Sequence, residues 1–562
     1  MKYQKLIESA FSFFDLKPRS NQVAIVNQIL TAFVDNQKKF VVLNAPTGIG
    51  KSIIGAVVAR CVEQLVKVPN DEEMSNMPAL FLVGTNTLTE QYADAFAHNR
   101  DFILTKGANN YKCDLISEKD GKYRNAENCS GMFKTLSPAL YNKHCEHCEY
   151  RVNKQERNKR PYLITNYSMF FISQLYSNFI KTRRLTIFDE AHTINDLFVD
   201  HMAINISVFS LKSQQNDLME IFADEKLIDG LNALRNELEN DRVNDGNYRK
   251  FADRAMDLYY KISEYLTNKA ANTKDISSMI KFVKLQRKFG AFYSKLNDLK
   301  QFEYDHVFEV KNGEYTIKPV FANLFFNGIA TSPHNLLMSA TISEDLVEYM
   351  LGLDKSEYEF IKADPVFDPK NKKVIFLDPI SINYKSLQEQ KTLNEISKRV
   401  CKVIKRHSGE NGIILVPSFK LGSEVSAAIR KAGLKVKLFE QSYTEKLSEV
   451  LEKFKKSKEP SVLVSPSLFE GVDLAGDLSR YQIIVKAPYP SLGDKRVKHI
   501  LDNYPVVYEL STVLKLVQGV GRSTRCEKDY ATTYMLDTNA KRIFKGSENI
   551  WKNEFCMSDE KL

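Results

Sequence analysis

The chain has 562 residues, of which 43% are hydrophobic and 27% charged, a composition ordinary for a soluble globular protein of roughly three to five domains. The sequence contains neither an apolar stretch of the roughly 20 residues that cross a bilayer nor an apolar signal-peptide core, so we expect a cytoplasmic protein. The formal net charge of +9 favours a polyanionic partner only weakly.

A glycine-rich turn follows the first apolar run, residues 40–44, and reads Ala-Pro-Thr-Gly-Ile-Gly-Lys-Ser over residues 45–52. This strand, turn and helix order matches G-x-x-x-x-G-K-[ST] except that Ala45 replaces the first glycine. Backbone N–H groups of such a turn surround phosphate oxygens, the lysine reaches the β- and γ-phosphates, and the serine binds Mg²⁺. We therefore predict a nucleotide site at Thr47, Gly48, Gly50, Lys51 and Ser52, the alternative being an ordinary strand–helix joint.

A polar segment, residues 105–160, interrupts the alternation of apolar strands and helices that predicts a parallel sheet in the first hundred residues. It holds four of the eight cysteines, Cys113, Cys129, Cys145 and Cys148. Cysteines of a reducing compartment should not form structural disulfides, whereas thiolates suit iron–sulfur clusters. Zinc is the rival, since C-x2-C is half of many zinc sites and His144 and His147 could substitute as ligands.

A second apolar strand, residues 185–188, ends in Asp189-Glu190-Ala191-His192. A carboxylate at the carboxyl end of a strand is where a Mg²⁺ partner of Ser52 should lie, so we assign that role to Asp189. Glu190 can then orient or deprotonate an attacking water. The alternative is an acidic helix cap.

Residues 201–330 have the character of an insertion. Apolar residues spaced three or four apart from Phe251 to Leu266 predict an amphipathic helix. An Asn-Gly pair at 312–313 predicts a hairpin over residues 307–317. The next buried strand begins only at Leu336 and ends in Ser339-Ala340-Thr341.

A second α/β unit is predicted from about residue 375, after a Lys-rich linker at 368–373. Its strands are expected at 412–416, 436–439, 462–464 and 482–485, with 533–536 as the last. Gln518 lies in a helical pattern that leads to Arg522 and Arg525. Because residues three apart share a helix face, both guanidinium groups can point at one γ-phosphate, unless they only form a solvated face.

These blocks, in this order, resemble a superfamily 2 helicase of the DinG/XPD type. Residues 106–113, Lys-Gly-Ala-Asn-Asn-Tyr-Lys-Cys, resemble that family's lead-in to its cysteines, with Ala108 where arginine is common. Residues 469–476 resemble its motif V, and Ala487-Pro488-Tyr489-Pro490 the turn after it. Arg19 and Gln22 resemble its N-terminal nucleotide-sensing motif. The resemblance covers nearly the whole chain and is weakest over residues 200–330.

The resemblance implies an α/β fold of two RecA-like motor domains with an iron–sulfur insertion and a mainly helical arch. The expected boundaries are 1–104, 161–200 and 331–374 for motor domain 1, 105–160 for the cluster domain, 201–330 for the arch and 375–562 for motor domain 2. It also implies a [4Fe–4S] cluster held by Cys113, Cys129, Cys145 and Cys148. The remaining site residues that it implies are Arg19, Gln22 and Asp473 beside the nucleotide, and Gln518, Arg522 and Arg525 in catalysis.

The function that the resemblance implies is ATP- and Mg²⁺-dependent translocation on single-stranded DNA, 5′→3′, by a monomer that unwinds duplex or forked DNA in repair, replication or recombination. Thr85, Thr341 and the motif V backbone would follow the DNA phosphates. Two alternatives stay open: an ATPase that remodels protein–nucleic-acid complexes without processive unwinding, and an RNA-directed helicase.

Overall fold

The computed structural model describes residues 1–46, 48–66, 74, 76–84, 90, 92, 94–96, 99–117, 123–126, 143, 145–273, 275–301, 305–469, 474, 476–524, 529–551 and 554–561, a few of them, including Arg522, through the backbone alone. Within these ranges no helix is both long and apolar enough to cross a membrane.

The strands, in chain order, are β1 (Phe40–Asn44), β2 (Ala79–Val83), β3 (Phe102–Leu104), β4 (Lys112–Ser117), β5 (Tyr123–Asn125), β6 (Tyr162–Asn166), β7 (Leu185–Asp189), β8 (Ile204–Ser207), β9 (His306–Lys311), β10 (Glu314–Pro319), β11 (His334–Ser339), β12 (Tyr358–Lys362), β13 (Lys372–Ile380), β14 (Gly412–Leu415), β15 (Lys437–Glu440), β16 (Ser461–Ser465), β17 (Tyr481–Ile484), β18 (Ala531–Asp537) and β19 (Cys556–Glu560).

The α-helices are α1 (Gln4–Phe13), α2 (Ser20–Leu30), α3 (Lys51–Leu65), α4 (Glu149–Glu156), α5 (Tyr167–Ile172), α6 (Ile194–Met202), α7 (Val208–Met219), α8 (Glu225–Glu239), α9 (Tyr248–Asn272), α10 (Ile276–Gln301), α11 (Asn323–Ile329), α12 (Glu344–Leu351), α13 (Gln390–Arg406), α14 (Phe419–Lys431), α15 (Leu447–Lys455), α16 (Lys495–Asn503), α17 (Pro505–Val520), α18 (Thr538–Gly546) and α19 (Glu548–Trp551).

The first α/β unit is built on a parallel sheet in the order β12-β1-β11-β7-β2-β6-β3. Its strands are buried on both faces: Val41 and Leu43 of β1 pack with α1–α3, whereas Phe40 and Val42 pack with α5, α6 and α11. This is why the strand is a continuous apolar run rather than an alternating one. The predicted parallel sheet is confirmed.

The second α/β unit has a parallel sheet in the order β15-β16-β14-β17-β18-β13-β19. Two details of the prediction are wrong. Strand β13 begins inside the supposed linker, where the Lys372 ammonium is buried and lies 2.9 Å from Glu554. Residues 533–536 are not the last strand, since β19 pairs with β13 and adds an edge to the sheet. Strand β19 is held by this backbone pairing, so its sequence needs no apolar run that would have marked it as a strand.

The insertion between β7 and β11 consists of the antiparallel sheet β8-β10-β9 packed with α7–α10 around its own apolar core. The predicted helix and hairpin are both confirmed. Asn312 and Gly313 both have positive φ, 52° and 71°, the conformation that a two-residue type I′ turn requires. The base of the insertion also contacts the second unit, where Lys318 pairs with Asp494 at 2.8 Å.

Arg183 fastens the cysteine-bearing segment to the first sheet. Its guanidinium is fully buried and donates to the backbone carbonyls of Arg157, Arg160 and Pro161, where the chain returns from that segment, and of Ala79 on β2. Burial lowers its pKa to about 9. The segment is therefore anchored at its return in part by a residue that lies just before β7.

We expect Gly412→Ala to destabilise the second unit. A Cβ at Gly412 would lie 2.2–2.6 Å from ring atoms of the fully buried Tyr481, which stacks on His407 and has no room to move. Overpacking of this kind costs about 2–3 kcal/mol, measurable as a lower urea midpoint. Gly328→Ala is the control, because a Cβ there meets no atom within 4 Å. Equal midpoints for the two variants would contradict the packing argument.

Candidate nucleotide-binding site

The turn between β1 and α3 has the shape of a phosphate-binding loop. Gly48 and Gly50 have φ of 88° and 85°, in the left-handed region that favours glycine. A Cβ at Gly50 would also approach Gln22 Nε2 to 2.7 Å. Both glycines are thus required by the backbone itself. Thr47 lies outside the described residues.

Lys51 and Ser52 form the first turn of α3, where backbone N–H groups and the helix dipole favour anions. The Lys51 ammonium rests 3.5 Å from the carbonyl oxygen of Ala45, at the mouth of the loop. The loop therefore presents a cation and a hydroxyl side by side.

Arg19 and Gln22 support the loop from α2. Arg19 donates through Nη1 to the carbonyl of Gly48 at 3.0 Å. Gln22 is buried, donates through Nε2 to the carbonyl of Ile49 at 2.8 Å, and accepts from the Arg19 backbone N–H at 3.1 Å. The structure thus brings both predicted residues to the phosphate loop. Because both side chains donate to carbonyls of the loop, a substitution at either would alter the backbone that would bind the nucleotide.

Asp189 ends β7 and is held on three sides. Its Oδ2 accepts from the Tyr92 hydroxyl at 2.7 Å, its Oδ1 from the Glu190 backbone N–H at 3.0 Å, and its carbonyl from the Tyr167 hydroxyl at 2.8 Å. The pKa of its carboxyl is raised to about 6, first by removal from water and second by the Glu190 carboxylate, while Lys51 opposes the rise. A carboxylate that burial makes unfavourable is one that a divalent cation stabilises.

Glu190 adopts a left-handed backbone conformation, with φ of 51° and ψ of 47°. Such a conformation is strained for a residue with a side chain and is found preferentially at functional sites. Its carboxylate lies 3.4 Å from His192 Nδ1 and remains accessible to solvent. The strained turn therefore separates two adjacent carboxylates, one directed inward and one toward the cleft.

A hydrogen-bonded network joins the first unit to the second through His192. Nδ1 of His192 bonds Ser339 Oγ at 2.9 Å, and Nε2 lies 2.7 Å from Gln518 Nε2 on α17. Gln518 also donates to Thr341 Oγ1 at 2.8 Å. Because Thr341 is buried in this contact, the prediction that it follows DNA phosphates is wrong. Its hydroxyl belongs to the junction of the two units.

The prediction that Arg522 and Arg525 share one face of a helix is also wrong. Helix α17 ends at Val520, a short 3₁₀ turn covers Gly521–Ser523, and Thr524 is extended. The Gly521 that follows the helix interrupts the helical pattern inferred from spacing. Arg522 lies in the 3₁₀ turn, and its side chain is outside the described part of the chain, as are Arg525, Asp473 and Thr85; their roles stay predictions.

Three of the four predicted cysteines are described, and they lie close enough to influence one another. Cys113 on β4 and Cys145 are buried, and Cys148, half-buried, caps α4. Burial raises the pKa of the Cys145 thiol, and the thiols of Cys148 and Cys113 raise it further against the opposing charge of Arg151. Cys129 is outside the described ranges. Within those ranges no three His, Cys, Asp or Glu side chains meet the geometry of a metal site.

Sequence reasoning missed two tyrosines that contact Asp189. Tyr92 follows β2 by nine residues and Tyr167 begins α5, and each hydroxyl reaches Asp189 from a different element. No motif marks either residue. A buried tyrosine usually finds a partner for its hydroxyl, but that partner is set by the sheet order and cannot be inferred from local spacing.

Comparisons with known proteins agree with this geometry. Residues 15–228 match the family model described as Type III restriction enzyme, res subunit, and residues 399–551 match the Helicase C-terminal domain. The chain is 26% identical over 403 residues to the Probable ATP-dependent helicase YpvA of Bacillus subtilis (strain 168), covering 65% of this chain and 58% of that protein. It is 23% identical over 178 residues to the ATP-dependent DNA helicase chl-1 of Caenorhabditis elegans, covering 28% and 21%. The chain thus spans less than two thirds of either relative.

Solved structures with the same fold include XPD_Helicase, with a TM-score of 0.65 and 15% identity over 97% of this chain and 100% of that one. The structure of S. tokodaii Xpd4 has a TM-score of 0.58 and 15% identity over 96% and 100%. At this identity the likeness is one of fold. The predicted class, two RecA-like α/β domains with two insertions, is confirmed.

We expect Gln518→Leu to uncouple the two units at the site. The variant leaves His192 and Thr341 without their partner across the cleft, while the phosphate loop in the first unit is untouched. Nucleoside triphosphate turnover should fall about tenfold or more, which corresponds to about 1.4 kcal/mol, with nucleotide affinity retained. Ser511→Ala on the same helix is the control, since that hydroxyl bonds only the Val507 carbonyl within α17. A Gln518→Leu protein with the turnover of the control would contradict the coupling.

Proposed function

We propose that this chain, which belongs to the DinG/XPD-type branch of superfamily 2, is an ATP-dependent helicase that translocates on single-stranded DNA. The observation that carries the proposal is the 2.7 Å contact between His192 and Gln518. It links the strand end that carries Asp189 and Glu190 to the second unit, so that a change at the phosphates reaches the other half of the molecule. Coupling of this kind is what converts hydrolysis into domain movement.

The chemistry is assigned to residues on both sides of the cleft. Lys51 contacts the β- and γ-phosphates, and Ser52 and Asp189 would hold Mg²⁺, which neutralises phosphate charge when bound. Glu190 accepts a proton from the attacking water, since its carboxylate stays accessible in the cleft. Arg522 and Arg525 are proposed to meet the γ-phosphate from the second unit, with Asp473 beside the nucleotide.

We assign residues 1–104, 161–200 and 331–374 to motor domain 1, 375–562 to motor domain 2 and 201–330 to an arch. Two separate parallel sheets support the two motor domains: one contains β1, β2, β3, β6, β7, β11 and β12, and the other contains β13 to β19. The separate core of α7–α10 supports an insertion that folds as its own body. It is inserted between β7 and β11, and single-stranded DNA is proposed to pass between it and the first unit.

Residues 105–160 are proposed to form the cluster domain, with Cys113, Cys129, Cys145 and Cys148 holding a [4Fe–4S] cluster. The burial of Cys113 and Cys145 beside the C-x2-C pair of Cys145 and Cys148 supports a ligand role for these thiols. An all-thiolate set suits an iron–sulfur cluster as well as structural zinc, and the family favours iron–sulfur. Within the described residues Arg183 ties the return of this segment to the sheet, which suits a domain that must hold its place beside the DNA.

DNA is proposed as the substrate because the relative from C. elegans carries the name of a DNA helicase and the net charge is positive. The 5′→3′ polarity, action as a monomer on forked DNA and a role in repair, replication or recombination follow from the family alone. An RNA-directed helicase and a remodeller of protein–nucleic-acid complexes are the alternatives.

A strand-displacement assay tests the proposal. DNA duplexes with a 5′ tail, a 3′ tail or no tail, and RNA duplexes of the same sequence, are incubated with protein and ATP. Unwinding of the 5′-tailed DNA alone is expected. Unwinding of RNA alone would support the RNA-directed alternative, and ATPase activity stimulated by DNA without displacement would support the remodeller.

Glu190→Gln is the matched inactive protein for that assay. The amide keeps the size of the side chain but cannot accept the proton of water, so turnover of ATP should fall at least about 100-fold while nucleotide affinity is retained. Lys51→Ala should instead weaken nucleotide binding as well, because the ammonium contacts the phosphates in the bound state. Hydrolysis near the wild-type rate in Glu190→Gln would remove Glu190 from its assigned role.

Replacing Cys113, Cys129, Cys145 or Cys148 by Ser should abolish the visible absorbance and the bound iron and sulfide of anaerobically purified protein. Cys556→Ser is the control, since that thiol is exposed on the edge strand β19. ATPase activity should survive in the four variants better than unwinding, because the three cysteines that the structure describes lie outside the nucleotide cleft. Stoichiometric zinc without iron in the wild-type protein would contradict the cluster assignment.

A further inference from the structure

The hydroxyl of Tyr92 contacts one of the two groups assigned to Mg²⁺. It donates to Asp189 Oδ2 at 2.7 Å. Tyr92 follows β2 and Asp189 ends β7, so the hydrogen bond holds the carboxylate from a separate part of the chain.

The ring of Tyr92 is fixed by aromatic packing. Only 6% of the residue is exposed, and its ring centroid lies 6.3 Å from that of Phe81 and 6.4 Å from that of Phe96. Phe96 in turn stacks on Phe102 at 4.7 Å. A ring held in this way has little rotational freedom, so the direction of its hydroxyl is set by the core of the first unit.

The direction of this hydrogen bond leaves the metal ligand available. Tyr92 donates its proton to Asp189 Oδ2. Asp189 keeps further lone pairs on each oxygen, although Oδ1 also accepts from the Glu190 N–H. The bond therefore orients the carboxylate without occupying it.

We propose that Tyr92 is a positioning residue that holds the Asp189 carboxylate in the orientation that Mg²⁺–nucleotide requires. Mg²⁺ demands near-ideal octahedral geometry, so ligands from two elements must be aligned closely. Side chains that orient metal ligands typically change metal affinity 10- to 100-fold when removed. The inference deepens the proposed function and rests on the nucleotide site assigned there.

The test separates metal binding from nucleotide binding and needs no turnover. Free Mn²⁺ is titrated by electron paramagnetic resonance against protein with ADP, and ADP affinity is measured separately in EDTA. Tyr92→Phe keeps the ring and its packing but removes the hydroxyl. We expect it to bind Mn²⁺ about tenfold more weakly in the presence of ADP, with unchanged affinity for ADP in EDTA.

Tyr167→Phe is the matched control, because its hydroxyl donates to the Asp189 carbonyl rather than the carboxylate. It should lower the thermal midpoint without changing Mn²⁺ affinity. Unchanged Mn²⁺ affinity in Tyr92→Phe would overturn the inference. So would a parallel loss of Mn²⁺ and metal-free ADP binding, which indicates a structural role. Tyr92→Leu, which also lacks the hydroxyl, replaces the phenylalanine variant if that protein fails to fold.

The controls distinguish this inference from the proposed function. Wild-type protein that binds no Mn²⁺ with ADP would overturn both. Wild-type protein that binds Mn²⁺ with ADP, together with a Tyr92→Phe variant of equal affinity, would overturn the role of Tyr92 and leave the nucleotide site standing.

Discussion

The rest of the molecule depends on the side-by-side pairing of β1, β11 and β7. Val41 pairs with Leu336, which pairs with Ile187, so the carboxyl ends of the three strands meet at one edge. Asn44 Nδ2, at the end of β1, donates to the Ile342 carbonyl at 2.7 Å, although 298 residues separate them. This pairing brings the phosphate loop, the Asp189–Glu190 turn and the Ser339–Thr341 segment into contact.

The site places polar groups at the edge of an apolar sheet, where water is largely excluded. Hydrogen bonds there are stronger than at the surface, and unpaired groups are costly. The structure meets this constraint by giving Asp189 two tyrosine partners from different parts of the chain and His192 partners from both units. The strained backbone of Glu190 is held by the same contacts, since its N–H is bonded to the carboxylate beside it. The hydrogen bonds around Asp189 therefore both fix its carboxylate and hold the turn that leaves the Glu190 carboxylate accessible.

Local patterns in the sequence were enough to predict what depends on neighbouring residues. The apolar runs of β1 and β7, the glycines of the loop and the Asn-Gly turn each carry a local physical signal, and the structure confirms them. What depends on distant partners was not predictable: the contact of Tyr92 with Asp189, the burial of Lys372 against Glu554 and the pairing of β19 with β13. The end of α17 at Val520 belongs to the same group, because a periodicity that favours a helix does not fix where tertiary contacts end it. Thr341 shows the limit most clearly, since a motif predicted its position in the fold but not its partner Gln518.

The contact between the insertion and the second unit combines an apolar centre with a polar margin. Phe321 packs against Tyr504 at 5.0 Å and shares a small cluster with Ile500 and Val507. Around it, Arg496 donates to the Val320 carbonyl at 2.8 Å, and His499 lies 3.0 Å from Asp305. Exposed polar contacts of this kind exchange with water at a net cost of about 1 kcal/mol or less each, whereas the apolar cluster loses stability in proportion to the area uncovered. Rotation about the cluster is therefore cheaper than separation from it, and the insertion is mechanically connected to both units.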